Sequence, residues 1–151
     1  MAPEGATLAR PRAPTTAEGY RYWADENVRF GDLDLIGHVN NKSYLDYAES
    51  VRAPFLRSIG IWSPGRIEQS VIAHIEIDYL RELHYPNTLR LGAAVLHVGT
   101  TSFSVAHGVF CNHVCTGTIV ARAVWIDTRS RRPVALGSTE REALMAWRSN
   151  S

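Results

Sequence analysis

The chain has 151 residues and a formal net charge of +1, with 16 Lys and Arg against 15 Asp and Glu. One domain is expected at this length, and the near-neutral balance excludes whole-chain disorder and argues against a dedicated nucleic-acid binder. Two cysteines exclude a disulfide scaffold and suit a reducing compartment. No apolar run approaches the ~20 residues of a bilayer-spanning helix, so no membrane partner is expected and the expected location is cytoplasmic.

Met1–Gly19, rich in Ala, Pro, Thr and Glu, lacks an apolar h-region and is read as a flexible tail, leaving 20–148 as a single domain. The first strand is expected over Tyr20–Phe30. It ends in the loop Gly31–Asn40, which holds two Gly, two Asp and an Asn. A helix follows from about Asn41, capped by Asn40 or Asn41, with an apolar stripe of Tyr44, Ala48, Val51, Phe55 and Ile59. Asp46, Glu49, Arg52 and Arg57 fall off that stripe. Pro54 lacks the N–H that would bond back to Ser50, so a kink or an early end is expected there.

The period then changes to two. Val71, Ala73, Ile75, Ile77 and Tyr79 share one strand face, and His74, Glu76 and Asp78 the other. Further strands are expected over Leu89–His97, Phe103–Phe110 and Cys115–Asp127, joined by short turns, with Arg131-Arg132-Pro133 leaving the sheet. Thr139 and Glu142 have the spacing of a capping box for a short terminal helix. Short turns force antiparallel pairing, so the expected class is α+β: a five-stranded antiparallel sheet with one long helix. One helix covers one face, whereas Cys115–Asp127 is apolar on both, which points to a homo-oligomer.

Common catalytic signatures are absent from the sequence: no G-x-S-x-G elbow, H-E-x-x-H helix, P-loop Lys or G-x-G-x-x-G. Cys111 and Cys115 flank a hairpin turn and have no second ligand pair of matching type. No metal or cofactor is expected. The informative stretch is Arg29–Arg52, in which two carboxylates, a His and two Asn lead straight into a helix N-terminus. That end offers unpaired N–H groups and partial positive charge for a developing oxyanion, and a carboxylate beside it can activate water or attack a carbonyl. The same aspartates also serve as turn formers, and physics alone leaves both readings open.

The block Asp34-Leu35-Ile36-Gly37-His38-Val39-Asn40-Asn41, with Tyr44 and Glu49 following, resembles the acyl-CoA thioesterases of the 4-hydroxybenzoyl-CoA thioesterase type. The downstream I-D-Y-L-R-E-L-H-Y-P-N-T and G-T-T-S-F blocks are similar more loosely. The resemblance implies a hot-dog fold, a sheet wrapped around one long helix, paired as a homodimer or a dimer of dimers with sites at the interface. It implies hydrolysis of an acyl-CoA or acyl-carrier-protein thioester to acid and thiol. Asp34 would be the base or nucleophile, the Asn41 backbone N–H the oxyanion donor, and His38 a positioning group. Tyr44, Glu49, Thr101 and Ser102 would meet substrate, and Asp32 would be structural. Two departures stand out. Ile36 replaces an Asn of the plant carrier-protein relatives, and the turn Gly99–Ser102 lacks the basic residues that meet CoA phosphates in some members. Arg81, Arg90 or the Arg129, Arg131 and Arg132 group would have to supply that contact. A non-catalytic acyl-thioester binding protein of the same fold is the competing expectation, and a dehydratase of that fold would carry a different Asp/His arrangement.

Overall fold

The structure, a computed structural model, describes residues 11–150. Five long strands form the sheet: β1 (Tyr22–Asn27), β2 (Glu68–Tyr79), β3 (Thr88–Val98), β4 (Ser102–Cys111) and β5 (Val114–Asp127). Their order across the sheet is β1-β3-β4-β5-β2 and every pairing is antiparallel. The helix α1 (Ser43–Ser58) lies against β1, β3, β4 and β5. This curled sheet around one helix is the hot-dog fold, α+β.

The helix is held by its apolar stripe. Tyr44, Ala48, Val51 and Phe55 are buried against Leu89, Leu91, Val95, Phe103, Val105, Ile119 and Trp125, while Ile59 is half-buried just past the helix end. Two expectations for α1 need correcting. Of the outcomes expected at Pro54, the early end does not occur: the helix continues to Ser58. Arg52, placed off the stripe, is buried, because it lies one turn from both Ala48 and Phe55 and reaches across to β4. There its Nη1 comes within 3.4 Å of Nε2 of the fully buried His107.

The turn at Asn112-His113 joins β4 to β5 with positive φ at both residues (50° and 66°), the backbone of a tight two-residue hairpin. Cys111 and Cys115 flank it as free thiols, the first half-buried and the second buried. Arg132–Pro133, expected to leave the sheet, instead turns back as a two-residue strand, β6, paired with β5. The expected capping box is also absent. The terminal helix α2 (Ser138–Ala146) starts after Gly137 with no side-chain cap, and it is Glu140 that is engaged, in a 2.6 Å ion pair with Arg66. Leu144 of α2 is buried in the core, and Trp147 meets Phe55 edge to face.

The outer face of the sheet has its own small core: Ala13, Tyr20, Ala94, Leu96, Ala106, Phe110 and Cys115, with Trp23 and Val120 against it. Residues 11–19, read above as part of a tail, therefore contribute to packing. Ala13 and Gly19 are buried, and the Tyr20 hydroxyl donates to the Pro14 carbonyl at 2.6 Å. The rest of that tail lies outside the described residues. The two-sided apolarity of β5 is thus partly satisfied within the chain, with Ile119, Ala123 and Trp125 under α1 and Val120 under the outer cluster. What remains open is β2, an edge strand 12 residues long with Val71 and Ile72 exposed. Long free edges template pairing with another chain. Among the described residues no helix is long and apolar enough to cross a membrane.

Candidate active site

The loop between β1 and α1 is fixed by Asp32. Its carboxylate accepts hydrogen bonds from the Arg29 N–H (2.9 Å) and the Tyr47 hydroxyl (2.7 Å). Its carbonyl accepts from the Asn40 N–H at 2.7 Å. One carboxylate thus ties the start of the loop to α1, the structural role expected of it. Burial and the Asp32 contact together push the Tyr47 phenol pKa well above its usual range.

Beyond Asp32 the chain doubles back. Leu33 bridges Val39, the Asp34 N–H donates to the His38 carbonyl at 2.9 Å, and the Gly37 N–H donates to the Asp34 carbonyl at 3.1 Å. Gly37 closes this turn at φ +89°, a region that a β-carbon disfavours. The result holds the Asp34 side chain by main-chain donors alone. Its Oδ1 accepts from the Ile36 N–H at 2.9 Å and the His38 N–H at 3.3 Å, while Oδ2 has no partner among the described residues.

The entry into α1 leaves a matching donor. The Asn40 side chain caps it by accepting from the Lys42 N–H at 3.1 Å, and the Asn40 carbonyl accepts from the Ser43 N–H at 2.9 Å. Regular helix begins at Ser43, two residues later than expected. Between these capped positions the Asn41 N–H has no acceptor among the described residues. The Asn41 carbonyl, by contrast, takes the Tyr79 hydroxyl at 3.1 Å.

Asp34, His38, Asn41 and Tyr44 line one pocket of about 370 Å³, together with Val39 and residues 79–83. Its walls are locked to the sheet. The Val39 N–H donates to the Leu83 carbonyl at 2.8 Å, and the N–H groups of Leu80 and Arg81 share the Thr116 carbonyl. Tyr44 is buried, donates to the Thr116 hydroxyl at 3.2 Å and meets the Tyr79 ring edge to face. Burial raises its phenol pKa. Gly117 makes room for it: a β-carbon there would stand 2.6 Å from the Tyr44 ring. The His38 imidazole turns toward the strand connection after β2, with Nε2 3.7 Å from Glu82 Oε2. The Asp34 carboxylate is therefore oriented by the His38 main chain, not by its ring.

Residues 28–147 match the sequence model of the Thioesterase-like superfamily. The chain belongs to that superfamily. Among this thioesterase-like chain's relatives is the uncharacterized protein YsmA of Bacillus subtilis, 27% identical over 135 residues that span 85% of this chain and 88% of that protein. A solved thioesterase of Thermus thermophilus, complexed with coenzyme A and Zn, is 31% identical with a TM-score of 0.76, over 86% of this chain and 96% of that one. The PA5185 protein of Pseudomonas aeruginosa superposes with a TM-score of 0.82 at 25% identity, over 91% of this chain and 99% of that one.

The thioesterase-like fold does not bring every expected residue to the pocket. Glu49 is exposed on α1 and does not line it. Thr101 and Ser102 lie toward the other end of the sheet. Ser102 pairs with Val124 whereas Tyr79 of the pocket pairs with Gly117, seven residues or about 23 Å away along β5. Of the candidate phosphate contacts, Arg81 lines the pocket. Arg90 is taken by Asp25 and the Trp23 ring, and Arg129, Arg131 and Arg132 cluster at the β5–β6 turn. Sequence reasoning passed over Glu82, although the R-E-L-H run after β2 carried the signal: a carboxylate and an imidazole two residues apart in extended chain, hence on one side.

Proposed function

We propose that this chain hydrolyses acyl-CoA thioesters in the Asp34 pocket, as enzymes of the 4-hydroxybenzoyl-CoA thioesterase type do. The observation that carries the reading is the state of the Asp34 carboxylate. One oxygen is pinned by two backbone N–H groups and the other has no partner among the described residues, and Asp34 lines the cavity together with Asn41, whose N–H is likewise unpaired among them. The free oxygen takes a proton from water, or itself attacks the thioester carbonyl. Either way a tetrahedral oxyanion forms, and the Asn41 N–H at the start of α1 stabilises it, a role worth several kcal/mol per well-placed donor. Collapse expels the thiolate. On the base route the hydroxide has added to the carbonyl and stays in the acid, and the proton that Asp34 drew from water passes to the thiolate. On the nucleophile route water then cleaves the acyl-aspartyl anhydride, which releases the acid, regenerates the Asp34 carboxylate and supplies the thiol proton. Tyr44 and Tyr79 form an apolar wall for the acyl end.

Coenzyme A, held by the T. thermophilus relative, is favoured as the carrier, with Arg81 at the pocket as the first phosphate contact. Two copies joined through the β2 edges complete the site. Antiparallel pairing about the middle of β2 sets the Val71 end of one copy beside the Tyr79 end of the other. The partner's Thr101 and Ser102, on the Val71 side of the sheet, then swing toward this pocket.

The test is thiol release from short, medium, long and aromatic acyl-CoAs. Turnover of at least one class is expected. Binding of these thioesters without hydrolysis of any of them would overturn the reading.

A further inference from the structure

The mouth of the pocket holds a second cluster that the hydrolytic reading does not use. His38 from the β1–α1 loop meets Glu82 and His84 from the β2–β3 connection. Glu82 Oε2 lies 3.7 Å from His38 Nε2 and 3.5 Å from His84 Nε2, and the three potential ligand atoms all fall within 4.8 Å of one another. The two imidazoles stand edge to face, with centroids 4.8 Å apart.

The main chain sets this meeting. The Val39 N–H is bonded to the Leu83 carbonyl, between Glu82 and His84, and the Asn87 side chain donates to the His84 carbonyl at 2.8 Å. The three side chains contact one another and have no other polar partner among the described residues.

We propose that His38, Glu82 and His84 form a site for a divalent transition metal of the zinc type at the mouth of the pocket. The donor set, two imidazoles and one carboxylate, is that of three-ligand zinc sites that keep a fourth position open. A tetrahedral zinc with bonds of about 2.0–2.2 Å spaces its ligand atoms about 3.3–3.6 Å apart. The two carboxylate–imidazole separations are already at or near that value. Closing the remaining gap takes only rotation of side chains: those of Glu82 and His84 are 67% and 53% exposed. Mg²⁺ and Ca²⁺, which demand oxygen ligands, do not fit two imidazoles. Glu82 and His38 also line the pocket, so the ion would border the space offered to substrate.

The experiment is calorimetric titration of the full chain with Zn²⁺, alongside the visible spectrum of the protein with Co²⁺. One ion per chain and the intense absorption of four-coordinate Co²⁺ are expected. His84→Ala and Glu82→Gln, both at exposed positions, should weaken binding by about tenfold or more while leaving the thermal midpoint of the metal-free protein unchanged. His74→Ala should change nothing. It removes another exposed imidazole beside a carboxylate, 3.1 Å from Glu76, which among the described residues belongs to no three-ligand cluster. Absence of binding, binding indifferent to His84→Ala and Glu82→Gln, or an equal loss in His74→Ala would overturn the proposal. The readout is metal binding, so it stands or falls apart from thioester turnover.

Discussion

Two regions of this molecule hold polar groups without a full set of partners, and they differ in what surrounds them. In the β1–α1 loop, Asp34 and Asn41 line an open pocket, and neither the Asp34 Oδ2 nor the Asn41 N–H has a partner among the described residues. Beneath α1, the Arg52 guanidinium and the His107 imidazole face each other inside the core, and His107 Nδ1 has no well-formed hydrogen-bond partner among the described residues. Water can satisfy the first pair until a substrate replaces it. The second pair is sealed, and its cost falls on folding. The same chemical incompleteness is open to solvent and ligands at one site and governs stability at the other.

The sharpest way to break this contrast is Asp34→Asn. The amide oxygen can still accept from the Ile36 and His38 N–H groups, so the turn survives, but the base or nucleophile is gone. Thioester turnover should fall by about 10²–10⁴-fold with no change in the thermal midpoint. A loss of stability on the same scale would mean that the carboxylate is a turn former first.

The buried pair should behave in the opposite way. Burial, followed by the neighbouring Arg52 charge, lowers the His107 pKa to about 3 from an ordinary 6.5. Between those values the unfolded chain binds a proton that the folded chain excludes, so stability falls as pH drops below about 6.5 and keeps falling to about pH 3. The full effect is up to about 5 kcal/mol. His107→Gln cannot take that proton. Its unfolding free energy should therefore decline less steeply than that of the parent over this range, while turnover at neutral pH is kept. Parallel curves in urea titrations at stepped pH would remove His107 from the account.

Tyr44 stands between the two regions, with its ring in the core and one face on the pocket. Gly117→Ala would push a methyl to 2.6 Å from that ring. Overpacking of this kind costs roughly 1–3 kcal/mol. Here the displaced ring should also lower kcat/KM, so both readouts move in one variant. An unchanged kcat/KM in a destabilised variant would show that the pocket tolerates the shift.

The reason some of this could be read from the sequence and some could not lies in the range of the interactions. The Asp34–Asn41 turn is local, made by residues within eight positions of one another, and its Gly, Asp and Asn content announces it. The stripe Tyr44, Ala48, Val51 and Phe55 follows from helical period alone. Arg52 could not be placed, because its burial depends on His107, 55 residues away on β4. The His38–Glu82–His84 meeting is likewise long-range, made when the Val39 N–H finds the Leu83 carbonyl. Chemical type and spacing singled out the loop that carries Asp34. Which groups face it from β2 and beyond depended on strand register.

The smallest expected effect sharpens the comparison at the loop's anchor. Tyr47→Phe removes the 2.7 Å hydrogen bond that joins α1 to the Asp32 carboxylate. Hydrogen bonds to charged groups contribute about 1.5–3 kcal/mol when well shielded. Asp32 is only half-buried and keeps the Arg29 N–H as a partner, so water should restore part of the loss and leave a cost of about 1 kcal/mol. If Asp34 is held entirely by its own turn, turnover should stay within about twofold of the parent while unfolding by urea shifts by that amount. A larger drop in kcat would mean that the position of the free carboxylate oxygen is set through Asp32 and α1 as well. The open site and the packed helix would then be mechanically coupled through one hydroxyl.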